Sequence, residues 1–186
     1  MSGEAGPVYD AIRTRRVTRQ MDARPVEPAD LDRVVRAARY APNAGNRRLQ
    51  PVIPVSSPRL LRLLRLVAPG MLPRPAAAAV ICIDKRRAAA YGFRSDAPGL
   101  FVDVGTTAAT MLLAAHAIGL ASCPVTSFSR AAVARLLGLD ESITPQLIVC
   151  LGHAAGVQPP PMAAVGTKGV AARHPLTAAS ALARMR

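Results

Sequence analysis

Residues 104–129, VGTTAATMLLAAHAIGLASCPVTSFS, run for 26 positions without a formal charge. That is long enough to cross a bilayer. The stretch also holds Gly105, Thr106, Thr107, Thr110 and His116, and Gly119 shortly before Ala121-Ser-Cys-Pro124 marks a helix stop leading into a strand. The reading is therefore a buried central helix over about residues 99–118 and a buried strand over residues 121–125, with no membrane. A helix apolar on all sides needs cover on all sides, and a chain of 186 residues calls on a second subunit for part of it.

Working outward, Ser129 caps a short helix, RAAVARLLG, that stops at Gly138, and QLIVCLG (146–152) reads as a further strand. Upstream, AAAAVICID (76–84) is a buried strand, and Ser57-Pro58 opens a helix with leucines inward and Arg59, Arg62 and Arg65 outward. Val52-Ile-Pro-Val55 holds a proline, which confines it to a sheet edge. Pro28 opens a helix running to Tyr40, with Asp30 and Asp32 near its positive end. Helices and short strands over one sheet place the chain in an α/β or α+β class. The length suits one domain, spanning 7–156, followed by an extended arm over 157–186 that packs on a partner surface.

The charge is +13, from 24 basic and 11 acidic residues, and 22 of the basic residues are arginine. Arginine's planar fork suits phosphate, whether on nucleic acid, a membrane surface or a cofactor. With 3% aromatics, no tryptophan and no binding motif, a nucleic-acid binder is the weakest of these readings. Cys82, Cys123 and Cys150 lie far apart in apolar runs, against a zinc ribbon or dithiol motif. His116, His153 and His174 lack metal-ligand spacing, so no metal is expected; His116 reads as a core histidine. No P-loop, G-x-G-x-x-G or G-x-S-x-G occurs. MSGEAGPVYD has two acids and no apolar core, so a secretory signal is not expected and the cytoplasm is. What remains is IRTRRVTRQM (12–21), where an extended piece would present Arg15, Val17 and Arg19 on one side.

Taken in order, Tyr9–Arg19, Pro25-Val26, ARYAPNAGN (38–46), Ala68-Pro-Gly-Met71, MLLAAHAIGLASC (111–123), Pro124–Phe128, LLGLD (136–140) and Leu151-Gly152-His153 resemble the nitroreductase-like FMN flavoproteins. The resemblance implies an α+β, three-layer fold: a central mixed or antiparallel sheet flanked by helices, with the long helix at a homodimer interface and FMN in each interfacial cleft. Carried over, Arg15, Arg16, Val17 and Arg19 would hold the phosphate and ribityl end. Pro42, Asn43, Ala44 and Asn46, reaching from the other subunit, would line the ring or ribityl chain. Pro124, Val125 and Thr126 would pack along the ring, and Lys168 of the tail would complete the phosphate site. No catalytic side chain is implied, because the flavin carries the hydride chemistry. Asn43 stands where the family often has serine, and Arg47-Arg48-Leu49 intervenes before Gln50-Pro51. The segment 85–98 is short, with Tyr91 and Phe93 its only aromatics, which implies an open cleft or one finished by another protein.

Two activities follow from the resemblance. The first is an NAD(P)H-dependent reductase of nitro compounds, quinones or similar small acceptors. The second is a dehydrogenase or oxidase that desaturates an amide or cyclodipeptide-type substrate with oxygen as acceptor, working with a small partner protein; the blocks at 68–71 and 123–128 are similar to the cyclodipeptide oxidase branch.

Overall fold

Proline sets where much of this chain turns helical. Pro7, Pro28, Pro58 and Pro98 each begin an α-helix, where a missing N–H costs nothing because first-turn donors have no intrahelical acceptor. The computed structural model describes residues 6–156. In chain order these form α1 (Pro7–Thr14), α2 (Pro28–Ala37), β1 (Val52–Val55), α3 (Pro58–Val67), β2 (Ala77–Asp84), α4 (Lys85–Ala90), α5 (Pro98–Ala117), β3 (Ala121–Val125), α6 (Arg130–Leu136) and β4 (Ile143–Gly152). Side-chain caps close three helix starts: Ser57 Oγ accepts from Leu60 N–H, Asp84 from Arg87 N–H and Ser129 Oγ from Ala132 N–H.

The strands form one sheet in the order β1-β2-β4-β3. The expected mixed or antiparallel sheet is antiparallel at every strand junction. β1 is an edge strand, as Pro54 requires. β4 starts at Ile143 rather than Gln146, because a register shift between Ile81 and Cys82 lets pairing continue to Asp84 opposite Ile143.

β2 is buried along its whole length and splits the core by alternation. Ala77, Ala79, Ile81 and Ile83 face α2 and α5, with Val34, Leu100 and Met111. Ala78, Val80 and Cys82 face α3 and α6, with Leu61, Leu64 and Val133. The α+β chain is thus three layers, helices on both sides of an antiparallel sheet. Each large apolar side chain fully buried here contributes about 1.5–3 kcal/mol.

α5 is long and apolar enough by length and composition to cross a membrane. Its inner row, Leu100, Val104, Ala108, Met111 and Ala115, lies in the core, but Phe101, Val102, Gly105 and Ala109 on the outer face are exposed. A helix expected to be covered on all sides is covered on one side within a single chain.

Candidate functional site

The Arg15–Arg19 stretch begins where α1 stops. Arg15 N–H closes the helix on Ala11 O, and Arg16 Nη1 donates to the carbonyls of Arg13 (2.9 Å) and Arg15 (2.8 Å). That places a cation on the negative end of α1. The chain then extends: Val17 bridges Ser122 in parallel, Thr18 N–H donates to Ser122 O at 2.9 Å, and Met21 bridges Ala154 antiparallel. A run of alternating polar and apolar residues can only stay extended if its backbone is paired, and the start of β3 and the end of β4 supply the partners. Gly152 lets Met21 pack close, since a Cβ there would sit 3.0 Å from Met21 Sδ and displace it.

Two nitrogens in this cluster, Arg15 Nη1 and Arg16 Nε, are buried with no hydrogen-bond partner. A buried unpaired donor on a charged group is costly. Arg13, Arg24, Arg33, Arg36 and Arg94 each lie within 4 Å of an aspartate, whereas no ion pair joins Arg15, Arg16 or Arg19 to a carboxylate among the described residues. The cluster is charged, partly desolvated and unneutralised, which is the arrangement an anion would complete. Arg19 stands near enough to Cys123 to pull its thiol down, but burial pushes it up more strongly. Burial alone takes Cys82 up to about 12, and burial with Cys123 nearby takes Cys150 up to about 12. These thiols stay neutral and supply no nucleophile.

Pro124 and Val125 end β3 beside this cluster, and Thr126 follows the strand. Their backbone is braced by the Ala68–Met71 turn: Gly70 N–H donates to Ser127 O at 3.0 Å, and a Cβ on Gly70 would fall 2.9 Å from Ser127 Cβ. At the same end of α5, His116 Nε2 meets Thr14 Oγ1 at 2.9 Å. The expected core histidine is half-buried and pins α1 to α5.

Pro42, Asn43, Ala44 and Asn46 lie at the other end of α5. Asp103 is buried, and its carboxylate accepts from Ala44 N–H (3.1 and 3.2 Å) and Gln50 Nε2 (3.4 Å). Thr106 Oγ1 donates to Pro42 O at 2.8 Å. Asn43 is turned inward: Nδ2 donates to Ala41 O and Oδ1 accepts from Arg48 N–H. Gly45, Asn46 and Arg48 have φ of 59°, 54° and 52°, so the turn is left-handed at three of four residues. Of the predicted loop residues, Asn46 is the one with an exposed carboxamide that no described group engages.

Thirteen residues separate Asp103 from His116 on one helix, about 20 Å. One chain therefore unites Arg15, Arg16, Val17 and Arg19 with Pro124, Val125 and Thr126, and holds Pro42, Asn43, Ala44 and Asn46 at a distance. Lys168 lies outside the described residues. Sequence reasoning missed Asp103, Thr106 and Arg87, which fix the loop. Asp103 had a usable signal, a lone acid at the head of an uncharged helix.

The model of the Nitroreductase family matches residues 12–80 and 71–153. An Archaeoglobus fulgidus protein named as a candidate NADH dehydrogenase/NAD(P)H nitroreductase is 30% identical over 149 residues, covering 76% of this chain and 82% of that protein. Among solved structures, nitroreductase A from Vibrio parahaemolyticus has a TM-score of 0.78 at 22% identity, covering 93% of this chain and 77% of that one. The NADPH:FMN oxidoreductase of Vibrio harveyi complexed with NAD+ has a TM-score of 0.70 at 25% identity, covering 83% and 73%.

Proposed function

Since the chain belongs to the nitroreductase family and is an oxidoreductase, we propose that it binds FMN and passes hydride from a reduced nicotinamide nucleotide to a small organic acceptor such as a nitro compound or quinone. The observation that carries this reading is the Arg15–Arg19 cluster, where, among the described residues, Arg15 Nη1 and Arg16 Nε are buried without partners and no carboxylate pairs with the charge. Those residues fit a phosphate monoester. Arg15 and Arg19 would hold its oxygens by charge-assisted hydrogen bonds, and Arg16 would contribute Nε while its Nη1 stays on the end of α1. Val17 and the Pro124–Thr126 end of β3 would line the flank of the cofactor, on a wall held rigid by Gly70. When bound, the flavin supplies two-electron chemistry, so no side-chain nucleophile is needed.

The working unit in this reading is a homodimer. The outer face of α5 and the exposed Val8, Tyr9 and Ile12 of α1 give it apolar surface to bury. The 20 Å between the two halves of the site supports it too: a second copy would bring its Asn46 loop to the Arg15 cluster of the first, and each chain would complete the other's cleft.

The visible spectrum of the purified protein tests the premise. A sample that is colourless and gains no flavin absorbance with added FMN refutes it. The double variant R15A/R19A should weaken FMN binding by at least about 100-fold, since two charge-assisted bonds of about 1.5–3 kcal/mol each are lost, and near-normal affinity would remove the role from both residues. Oxidation of NADH or NADPH with a nitroaromatic or quinone is expected. Oxygen uptake on an amide substrate, with no nicotinamide consumed under any acceptor, would replace the reductase reading by the desaturase one.

A further inference from the structure

The tip of the 41–48 loop holds an arginine in a posture that binding a flavin does not require. Arg47 is exposed, yet its stem folds over Gly45, where a Cβ would lie 3.4 Å from Nε, and its guanidinium carbon sits 4.4 Å from the centre of the Tyr91 ring. Arg87 fixes the backbone beneath it, donating to the carbonyls of Arg47 (3.3 Å) and Arg48 (3.4 Å). Asn46 and Arg48 on either side are left-handed, a conformation that residues with a side chain adopt at a cost and keep where the surroundings over-determine it.

No ion pair joins Arg47 or Arg48 to a carboxylate among the described residues, although five other arginines have one. The nearby acids are already engaged: Asp84 caps α4 through Arg87 N–H, and Asp103 holds Ala44 and Gln50. A guanidinium laid on an aromatic face keeps its planar fork oriented and its charge unneutralised, which is what recognition of a carboxylate or phosphate needs.

Resting on the reading that this loop lines the flavin cleft, we propose that Arg47, stacked on Tyr91 and backed by Arg48, forms a cationic lip that selects substrates carrying a carboxylate or phosphate. The substrate's ring enters the cleft past Asn46 while its anionic end stays at the rim and meets the Arg47 fork. Tyr91 is a positioning residue that holds the fork flat.

Equilibrium dialysis of the full chain as purified, with 4-nitrobenzoate against 4-nitrobenzamide, tests the lip without relying on turnover. The wild type should bind the benzoate about fivefold more tightly at low salt, the size expected of a partly exposed charge pair, and the ratio should shrink as salt is raised. R47M should bring the ratio close to one, and R47K, which keeps the charge without the flat stack, should retain part of it. Reading the ratio cancels any loss of folded protein. A parallel arm with NADPH against NADH tells whether the recognised anion belongs to the acceptor or to the extra phosphate of the donor. Charge selection that R47M abolishes in either arm supports the lip; equal binding in both arms, or a ratio that R47M leaves unchanged, overturns it. Absent FMN or absent nicotinamide oxidation would refute the proposed activity instead, with the dialysis ratio still deciding the lip.

Discussion

At the C-terminal end of α5, the Arg15–Arg19 stretch is held by its own backbone; at the N-terminal end, the 41–48 loop is held by side chains from elsewhere. The first is paired to β3 and β4 through Val17, Thr18 and Met21, and of its arginines Arg16 alone spends part of its side chain, Nη1, on closing α1 among the described residues. The second hangs on the Asp103 carboxylate, the Thr106 hydroxyl and the Arg87 guanidinium, and spends Asn43 on closing itself. A segment pinned by main-chain bonds tolerates side-chain change without losing its place. A segment pinned by side chains depends on the identity of the residues that pin it.

Substitutions at four positions can break or sharpen that contrast. The largest effect is expected at Asp103. D103A leaves Ala44 N–H and Gln50 Nε2 without their acceptor and should cost about 1–3 kcal/mol in denaturant unfolding. D103N, which keeps an oxygen for Ala44, should cost visibly less; equal costs would show that the loop does not depend on this acceptor. On the opposite side, R15A removes a buried unpaired donor, and stability should hold or rise slightly even though FMN binding weakens.

G70A should come next, because its Cβ would meet Ser127 Cβ at 2.9 Å and Ser127 O at 3.2 Å. Overpacking of that kind costs about 1–3 kcal/mol, and an unchanged thermal midpoint would mean the turn yields freely. The smallest effect belongs to the strained tip. R48G relieves a left-handed residue, worth about 1–2 kcal/mol, and adds unfolded-state entropy, worth about 0.5–1 kcal/mol, for a net gain of about 0.5 kcal/mol. A loss of stability would show that the Arg48 side chain supports the loop.

Legibility in the sequence followed the range of the forces involved. β3 was readable at its observed limits, since Gly119 and an apolar run of five are local signals. The Ser57-Pro58 and Ser129 helix starts were readable because a cap and the backbone N–H that donates to it lie three residues apart. α1 and α4 were not singled out, one being a short helix with no fully buried residue and the other a six-residue turn of KRRAAA begun by Asp84. The start of β4 was misplaced by three residues because the register shift that extends it lies on β2, some sixty positions away. In the candidate site, the arginine cluster was visible as composition and spacing. The grip of Asp103 on Ala44, 59 residues apart, was not.

By itself, the sequence determined that the chain sets helices and short strands around one sheet with a long apolar helix, and it singled out an arginine-rich stretch near the N-terminus. Those properties are additive along the chain: periodicity, caps and residue type need only near neighbours. Only the tertiary structure decided the strand order, which arginines meet a carboxylate and which arginine nitrogens are buried without a partner among the described residues, and that Asp103 and His116, which hold the 41–48 loop and α1, stand about 20 Å apart on one helix. These are matters of which distant residues share a neighbourhood, and a buried nitrogen without a partner becomes visible only when everything around it is in place.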